Sequence, residues 1–173
     1  MATGIPNNNK RSVKDYSLVY EGKSNPLEIL AGPRAELNCI FENKEESINQ
    51  LIYGDNLPVL RTLLDNKNFN GKIKLIYIDP PFATGAGFES RNQEMAYSDH
   101  LQGAEFIEFL RQRLIILREL LAEEGSIYVH LDSKMAFPIK VIMDEIFGVQ
   151  NFRNWITRRK TNPKNYTSKA YGN

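Results

Sequence analysis

The residues best suited to chemistry are four consecutive ones, Asp79, Pro80, Pro81 and Phe82. They follow an apolar run, residues 73–78, that predicts a short buried strand. Proline fixes φ and has no N–H, so this turn is rigid and its carbonyl groups are free to accept hydrogen bonds. A carboxylate beside such carbonyls can hold an amine, and the ring can stack on a flat base. The motif therefore predicts a pocket for the exocyclic amine of a nucleobase; the alternative is a plain Pro-Pro turn with Asp79 as a solvated cap.

Strands and helices alternate around this motif. Short apolar runs predict three strands, over residues 50–54, 73–78 and 126–131. Apolar residues spaced three and four apart predict three helices, over residues 56–64, 104–124 and 139–147. Asp55 is placed to cap the first helix, and Gly125 and Gly148 are placed to end the other two. The alternation predicts an α/β fold with a parallel sheet, in which ligands bind at the carboxyl ends of the strands.

Individual residues of these elements have expected structural roles. The middle helix is expected to turn its leucines to the core and its charged residues, such as Arg111 and Arg113, to other faces. The last helix is expected to carry Pro138 in its first turn. At the end of the last strand, Asp132 is interpreted as a cap of the next turn. His130 is interpreted as a packed, hydrogen-bonded residue rather than a catalyst.

The chain divides into three parts. Residues 1–47 contain several helix breakers and little periodicity, which predicts an irregular N-terminal arm or a small peripheral layer. Residues 48–150 contain all the predicted helices and strands. They include a connection of roughly eighteen residues after the proline turn, and loops of that length are commonly functional.

The third part, residues 151–173, carries six basic residues, no acidic residue and four aromatic residues. Three of the basic residues, Arg158, Arg159 and Lys160, are consecutive. Cationic side chains bind the phosphate backbone, and aromatic rings stack on exposed bases. The segment therefore predicts a DNA-contacting region, the alternative being a solvated basic terminus.

Composition excludes several classes of protein. A chain of 173 residues that is 42% hydrophobic and 25% charged suits one globular domain with a core. The single cysteine, Cys39, excludes an intramolecular disulfide and a multi-cysteine zinc site. His100 and His130 lack a metal-ligand spacing, so no metal site is expected. The sequence has no apolar run of about 18 residues and no signal peptide at its N-terminus, which predicts a cytoplasmic protein without a membrane span.

Four blocks of sequence, in this order, resemble the β-class of DNA adenine-N6 methyltransferases, which includes the modification subunits of type III restriction systems. The blocks are residues 51–57 (LIYGDNL), 75–82 (LIYIDPPF), 125–132 (GSIYVHLD) and 143–148 (MDEIFG). The resemblance covers roughly residues 48–160. It implies the catalytic half of a Rossmann-like methyltransferase sheet, with S-adenosylmethionine as cofactor and DNA as partner.

The resemblance also implies roles for individual residues. Asp79 and the Pro80 carbonyl would hold the amino hydrogens of adenine, within the rigid turn that Pro81 completes. Phe82 would stack on the base, which must leave the duplex to be reached. Asp55 matches the acidic position near the adenosyl part of the cofactor, and a helix cap is its structural alternative. Catalysis would then rest on positioning and electrostatics, without a covalent nucleophile.

Two departures from the family pattern limit this interpretation. Family members commonly have Asn where this chain has Ala83. The family's glycine-rich cofactor loop, an aromatic-x-Gly-x-Gly pattern, does not occur in these 173 residues. The chain is therefore expected to be a truncated or split enzyme that does not methylate DNA alone. A complementing methyltransferase half, a second copy of the modification subunit or a restriction subunit is its expected partner.

Two other functions are compatible with the same residues. One is a catalytically inactive DNA-binding or assembly module that retains the fold of such an enzyme. The other is methylation of cytosine N4 or of RNA. Members of the family that act on cytosine usually carry Ser at the position of Asp79, which favours adenine.

Overall fold

The computed structural model describes residues 16–40, 49–80, 88–89, 95–97 and 103–158. Its helices and strands are, in chain order, α1 (Pro26–Ala31), α2 (Asn56–Asp65), β1 (Ile73–Ile78), β2 (Phe88–Glu89), β3 (Met95–Tyr97), α3 (Ala104–Leu120), β4 (Leu121–Val129) and α4 (Ser133–Phe147), followed by a 3-10 turn, Val149–Asn151. None of these helices is both long enough and apolar enough to cross a membrane. The strands β1 and β4 form a parallel sheet, and β2 and β3 form a small antiparallel one. The expected combination of helices with a parallel sheet is confirmed.

The parallel sheet has one face packed on helices and one exposed face. Partners run in register from Leu75 with Ser126 to Ile78 with Val129. Side chains alternate between the two faces of a strand, so every second pair shares a face. One face carries Ile76 and Ile127, which pack in the core against residues of α2 and α3. The opposite face carries side chains that stay exposed, namely Leu75 (62%), Tyr77 (64%) and Tyr128 (47%).

The strand expected over residues 50–54 does not form. Residues 51–53 lie outside any strand, and the side chains of Leu51 and Tyr53 are fully exposed. A strand needs a neighbour for its backbone hydrogen bonds. None of the described strands pairs with this segment. Apolar residues with a preference for β-structure were therefore not sufficient by themselves to form a strand here.

The boundary between α3 and β4 lies four residues earlier than expected. The helix ends at Leu120 rather than at residue 124, because Leu121 is already extended and pairs with Ile73 of β1. Gly125 does not end the helix; it lies inside β4. A Cβ atom there would come within 2.8 Å of the Ile73 carbonyl oxygen, so glycine permits the close approach of the two strands.

The helix α3 is the centre of the core. Its first half contributes Phe106, Leu110 and Leu114 to a cluster with Ile139 and Ile142 of α4. Its second half contributes to a second cluster, which reaches β1, α1 and α2 through Ile115, Ile116, Leu117 and Leu120. One amphipathic helix thus joins the sheet to all three other helices.

The last helix, α4, begins six residues earlier than expected. Asp132 caps it, because its side chain accepts a hydrogen bond from the Met135 N–H at 2.9 Å. The predicted cap is therefore confirmed. Pro138 lies inside the helix instead of in its first turn, so the carbonyl of Lys134 loses its usual helical donor. The helix ends at Gly148, whose φ of 88° favours glycine.

The N-terminal arm contains a short helix, α1, that its sequence did not predict. Asn25 caps α1, and Pro26 occupies its first position. The buried guanidinium of Arg61 in α2 donates to the carbonyl of Ile29 at 2.6 Å, near the end of α1. A Cβ on Gly32 would lie 2.5 Å from that guanidinium carbon, so a larger residue at this position would displace the guanidinium group. The Arg61 guanidinium of α2, which is distant from α1 in sequence, therefore holds α1 in place.

The segment before α1, residues 16–24, is held against α4 by carboxylates. Glu145 accepts hydrogen bonds from the Leu18 N–H at 2.5 Å and from the Lys23 ammonium at 2.7 Å. Asp144, which is 7% exposed, accepts one from the Tyr16 hydroxyl. The arm is thus anchored by specific polar contacts as well as by apolar packing.

Glu108 of α3 is the third anchor of this segment. It accepts hydrogen bonds from the Tyr20 hydroxyl at 2.5 Å and from the Ser24 N–H at 3.2 Å. The buried Arg111 guanidinium lies 3.3 Å from the same carboxylate. Burial acts to raise the pKa of Glu108, but hydrogen bonds from Tyr20, Gln112 and Ser24 outweigh it and hold that pKa below its ordinary value. The carboxylate form therefore stabilises the folded chain.

We predict that Glu108→Gln lowers the free energy of unfolding by about 1–3 kcal/mol at neutral pH, because Arg111 and the arm lose their anionic partner. A lowered folded-state pKa contributes stability above the ordinary glutamate pKa, about 4.3, and that stability is lost as the pH falls through the folded value. Urea titrations between neutral and acidic pH measure both effects. The control is Glu105→Gln, at an exposed position on the same helix. Equal losses in the two variants would contradict the assigned role.

Candidate active site

The ends of the two parallel strands bring Asp79 and His130 together. Asp79 follows Ile78 of β1, and His130 follows Val129 of β4. Their backbones continue the ladder, because the His130 N–H donates to the Ile78 carbonyl at 2.9 Å. The Nδ1 atom of His130 lies 3.4 Å from Oδ1 of Asp79. The two side chains therefore meet at the carboxyl edge of the sheet, the usual position of ligand sites in α/β proteins.

This pair is accessible. The side chain of Asp79 is 54% exposed and that of His130 is 41% exposed. By strand alternation they continue the face of the sheet on which Tyr77 and Tyr128 are exposed. A flat ligand can therefore approach the Asp79 carboxylate from this side, where it can accept N–H hydrogen bonds. Among the sequence-predicted catalytic residues, the structure describes Asp79 and Pro80, while Pro81 and Phe82 lie outside the described residues.

Sequence reasoning did not place His130 beside Asp79. An isolated histidine in an apolar strand is more often a packed residue than part of a site, and its side chain was assigned to packing. The signal lies in the register of β1 and β4, which places position 130 opposite position 79. Two consecutive strand ends, each with a titratable residue, were visible in the sequence. The pairing of the two strands decided that Asp79 and His130 lie beside each other.

Asp55 caps α2, as its position predicted. Its Oδ1 accepts a hydrogen bond from the Leu57 N–H at 3.0 Å. The same oxygen lies 3.5 Å from Nη2 of Arg113. The Asp55 side chain is nevertheless 66% exposed, so the carboxylate can still accept hydrogen bonds from a ligand. Its predicted contact with a cofactor stays a prediction.

Arg113 of α3 holds the start of α2. Its side chain is 11% exposed, and it donates to Oδ1 of Asn56 at 2.7 Å and to the Phe109 carbonyl at 2.8 Å. The guanidinium carbon also lies 3.5 Å from the centre of the Phe109 ring, within cation–π range. Arg111 and Arg113 were expected on faces of this helix other than the leucine face, and neither is left exposed there. Arg111 is buried and Arg113 is partly buried, because acceptors on the arm and on α2, respectively, satisfy their donors.

The residues after α4 combine exposed aromatic rings with positive charge. Trp155 stacks on Phe137 of α4, with ring centres 5.4 Å apart and planes 26° apart. The Lys140 ammonium lies 4.9 Å from the centre of the Phe152 ring. Arg158 is exposed, and Arg159 and Lys160 lie outside the described residues. The DNA-contacting role of these three basic residues stays a prediction.

The described residues bring no three His, Cys, Asp or Glu side chains together in a way that could hold a metal ion. Cys39 is exposed and is a free thiol. Among the described residues, the site at the sheet edge comprises the Asp79 carboxylate, the His130 imidazole and the backbone of Pro80.

A family model described as DNA methylase matches residues 73–173. Several curated proteins are also similar to this chain. The type II methyltransferase M.EcaI of Enterobacter cloacae is 47% identical over 134 residues, which are 75% of this chain and 29% of that protein. The Mod subunit of the type III restriction-modification enzyme EcoP15I of Escherichia coli is 32% identical over 189 residues, or 89% of this chain and 29% of that protein.

A third relative is the probable type III restriction-modification enzyme HindVI Mod subunit of Haemophilus influenzae. It is 40% identical over 109 residues, which are 63% of this chain and 14% of that protein. The chain thus spans less than a third of the length of each of these relatives. The matched part includes the proline turn and both strands of the parallel sheet.

We predict that Arg113→Ala lowers the free energy of unfolding by about 1.5–3 kcal/mol, because Asn56 and the Phe109 carbonyl lose a charged donor. Arg113→Lys keeps the charge but loses the planar fork, so an intermediate loss is expected. Urea denaturation measures both. Arg118→Ala, at an exposed position in the same helix, serves as the control. An Arg113→Ala variant as stable as this control would contradict the role.

Proposed function

Because the chain belongs to the DNA methylase family, we propose that it supplies the base-binding half of an enzyme that methylates the N6 amino group of adenine in duplex DNA. The observation that carries this proposal is the exposed Asp79 carboxylate at the carboxyl edge of a parallel sheet. Asp79 stands directly before two prolines in the sequence, and the first of them, Pro80, lies outside any helix or strand.

In this proposal the chain acts by holding an amine. Oδ2 of Asp79 accepts one amino hydrogen of the flipped adenine, and the Pro80 carbonyl accepts the other. The two acceptors fix the rotation of the amino group, so the nitrogen lone pair points along one line. Phe82 stacks on the ring and replaces the base stacking lost on flipping. Such positioning converts a bimolecular reaction into a reaction between fixed neighbours.

S-adenosylmethionine, when bound, supplies the methyl group to that nitrogen. We assign Asp55 to this cofactor, because its exposed carboxylate can accept hydrogen bonds from the hydroxyl groups of a ribose. The fit is partial, since the 173 residues contain no glycine-rich loop of the aromatic-x-Gly-x-Gly type. The chain's own part in the reaction is therefore to bind and orient the amine. Near Asp79 it also holds the proton that the amine releases when its nitrogen is methylated.

The exposed face of the sheet supports a partner for this chain. Leu75, Tyr77 and Tyr128 present apolar and aromatic surface on the side that α2 and α3 do not cover. Exposed contiguous apolar surface is typical of interfaces. We propose that a complementing methyltransferase half with the glycine-rich loop covers this face. A second copy of the modification subunit and a restriction subunit are the other proposed partners.

DNA binding is assigned to the basic end of the matched region. Arg158, Arg159 and Lys160 would contact phosphate groups, and the exposed Trp155 ring lies three residues before them. Cation contacts to phosphate give affinity without sequence information. A DNA-modifying enzyme of this kind would act in the cytoplasm, where bacterial DNA lies.

The competing proposal is an inactive DNA-binding or assembly module. In this proposal the chain binds DNA or a partner protein through the same surfaces but transfers no methyl group. Methylation of cytosine N4 or of RNA would use the same amine-binding turn, and Asp79 rather than Ser favours adenine. Assays with duplexes that differ only in their adenines and cytosines separate the two bases.

We predict that Asp79→Ala lowers methyl transfer at least about 100-fold, because the amine loses its charged acceptor. The assay uses an enzyme that contains this region together with a glycine-rich cofactor loop, and it measures incorporation of labelled methyl groups. DNA affinity, measured by mobility shift, should change little. Glu123→Ala, at an exposed position in β4, is the control. Unchanged methylation by Asp79→Ala would overturn the assignment.

We also predict that the 173-residue chain alone does not methylate DNA, because it lacks the cofactor loop. Addition of a polypeptide that carries such a loop should restore incorporation of label. Restoration should fail when Tyr77 and Tyr128 are both changed to Asp, which places charge on the exposed face of the sheet. Methyl transfer by the chain alone would contradict the split-site proposal.

A further inference from the structure

His130 stands in direct contact with the carboxylate that we assign to the target amine. We infer that His130 is a positioning residue, which holds Oδ1 of Asp79 so that Oδ2 faces the amino group. This inference rests on the proposed function. The juxtaposition that carries it is the 3.4 Å approach of His130 Nδ1 to Asp79 Oδ1 at the paired strand ends.

The backbone makes this contact a fixed feature of the sheet. Ile78 pairs with Val129, and the His130 N–H donates to the Ile78 carbonyl at 2.9 Å. The next residues of the two strands, Asp79 and His130, therefore start from adjacent Cα positions and point to the same face. Only rotation about the side-chain bonds remains free. A contact between the two side chains removes much of that freedom.

Asp79 needs such a partner because its surroundings are open. A carboxylate that is 54% exposed can rotate among several orientations. An acceptor that must point along one line loses effectiveness in the others, and a misplacement of about 1 Å can cost about 100-fold in rate. An imidazole that donates from Nδ1 favours the orientations in which Oδ1 faces β4. The separation of 3.4 Å between Nδ1 and Oδ1 is longer than an ordinary hydrogen bond, and we expect it to shorten when a substrate completes the site.

The neighbouring carboxylate does not compete for this position. Asp132 also follows β4, but its Oδ1 caps α4 by accepting from the Met135 N–H at 2.9 Å. Asp132 is thereby committed to the helix, whereas His130 is turned to Asp79. The imidazole touches the carboxylate and not the amine in this arrangement. His130 therefore acts through Asp79, which separates it from a catalytic acid or base.

Kinetics of variants test the inference in the enzyme that contains this region and the cofactor loop. His130→Ala should lower kcat about 10- to 100-fold, with KM for DNA and for the cofactor changed less than about twofold. His130→Asn carries a side-chain N–H close to the position of Nδ1, so it should recover most of the lost rate. His130→Phe keeps a ring but no donor, and it should remain slow. Ser126→Ala, on the same face of β4, is the control.

A double variant tests whether His130 acts through Asp79. Asp79→Ala with His130→Ala should be no slower than Asp79→Ala alone, because the second change removes a partner that is already useless. Additive losses would show an independent action of the imidazole and would overturn the inference. Equal rates for His130→Ala and the unchanged enzyme would overturn it as well.

A spectroscopic measurement on the 173-residue chain separates this inference from the proposed function. Nitrogen-15 spectra of the imidazole should show a proton on Nδ1 of His130 and a change in that signal on Asp79→Ala, but not on Glu123→Ala. An unchanged signal would refute the contact. The signal could instead change on Asp79→Ala while the full enzyme with Asp79→Ala still methylates DNA normally. That result would refute the proposed function, and with it the positioning role of His130. The contact between His130 and Asp79 would still be supported.

Discussion

The parallel pairing of β1 with β4 is the constraint on which the rest of the structure depends. Its register sets Ile78 beside Val129, and so it brings Asp79 and His130 to one edge. The same register sorts the side chains into two faces, one covered by helices and one exposed. A shift of the strand register by one residue would exchange the two faces and would point the Asp79 side chain toward the core. The site and the core are therefore consequences of one set of backbone hydrogen bonds.

The helix α3 makes that pairing possible and extends its influence. It lies in the connection between the two strands, and its apolar side chains enter both core clusters. Its charged residues reach in other directions. Glu108 and Arg111 hold the N-terminal segment, and Arg113 holds the start of α2. Because these buried charges have satisfied partners, the helix can carry them next to a hydrophobic core.

The two faces of the sheet have different roles: one packs in the hydrophobic core, and the other carries the candidate site. The helix-covered face buries isoleucines and contributes to the core, whereas the exposed face leads along Tyr77 and Tyr128 to Asp79 and His130. A carboxylate that binds a base, the role we propose for Asp79, must remain reachable, so it lies where packing is weakest. This arrangement explains why a site residue such as Asp79 needs a local partner to hold it. It also gives the proposed complementing half a surface to cover.

Much of the secondary structure followed from sequence pattern. The strand Ile73–Ile78, the start of α2 with its Asp55 cap, and the end of α4 at Gly148 were all expected and are all present. Local signals suffice for these because a cap or an apolar run acts over a few residues. The C-terminal end of α3 and the start of α4 differed from expectation, because pairing of Leu121 with β1 and the cap at Asp132 overrode local spacing.

The amino-acid sequence by itself determined the chemistry available to this protein: an acidic residue before two prolines at a strand end, in a chain of the DNA methylase family. Only the tertiary structure decided which residues stand beside that carboxylate. His130 contacts Asp79, 51 positions away, and the guanidinium groups of Arg111 and Arg113 donate to Ser24 and Asn56, 87 and 57 positions away. Contacts at such separations depend on strand register and helix packing, which no local pattern of residues encodes.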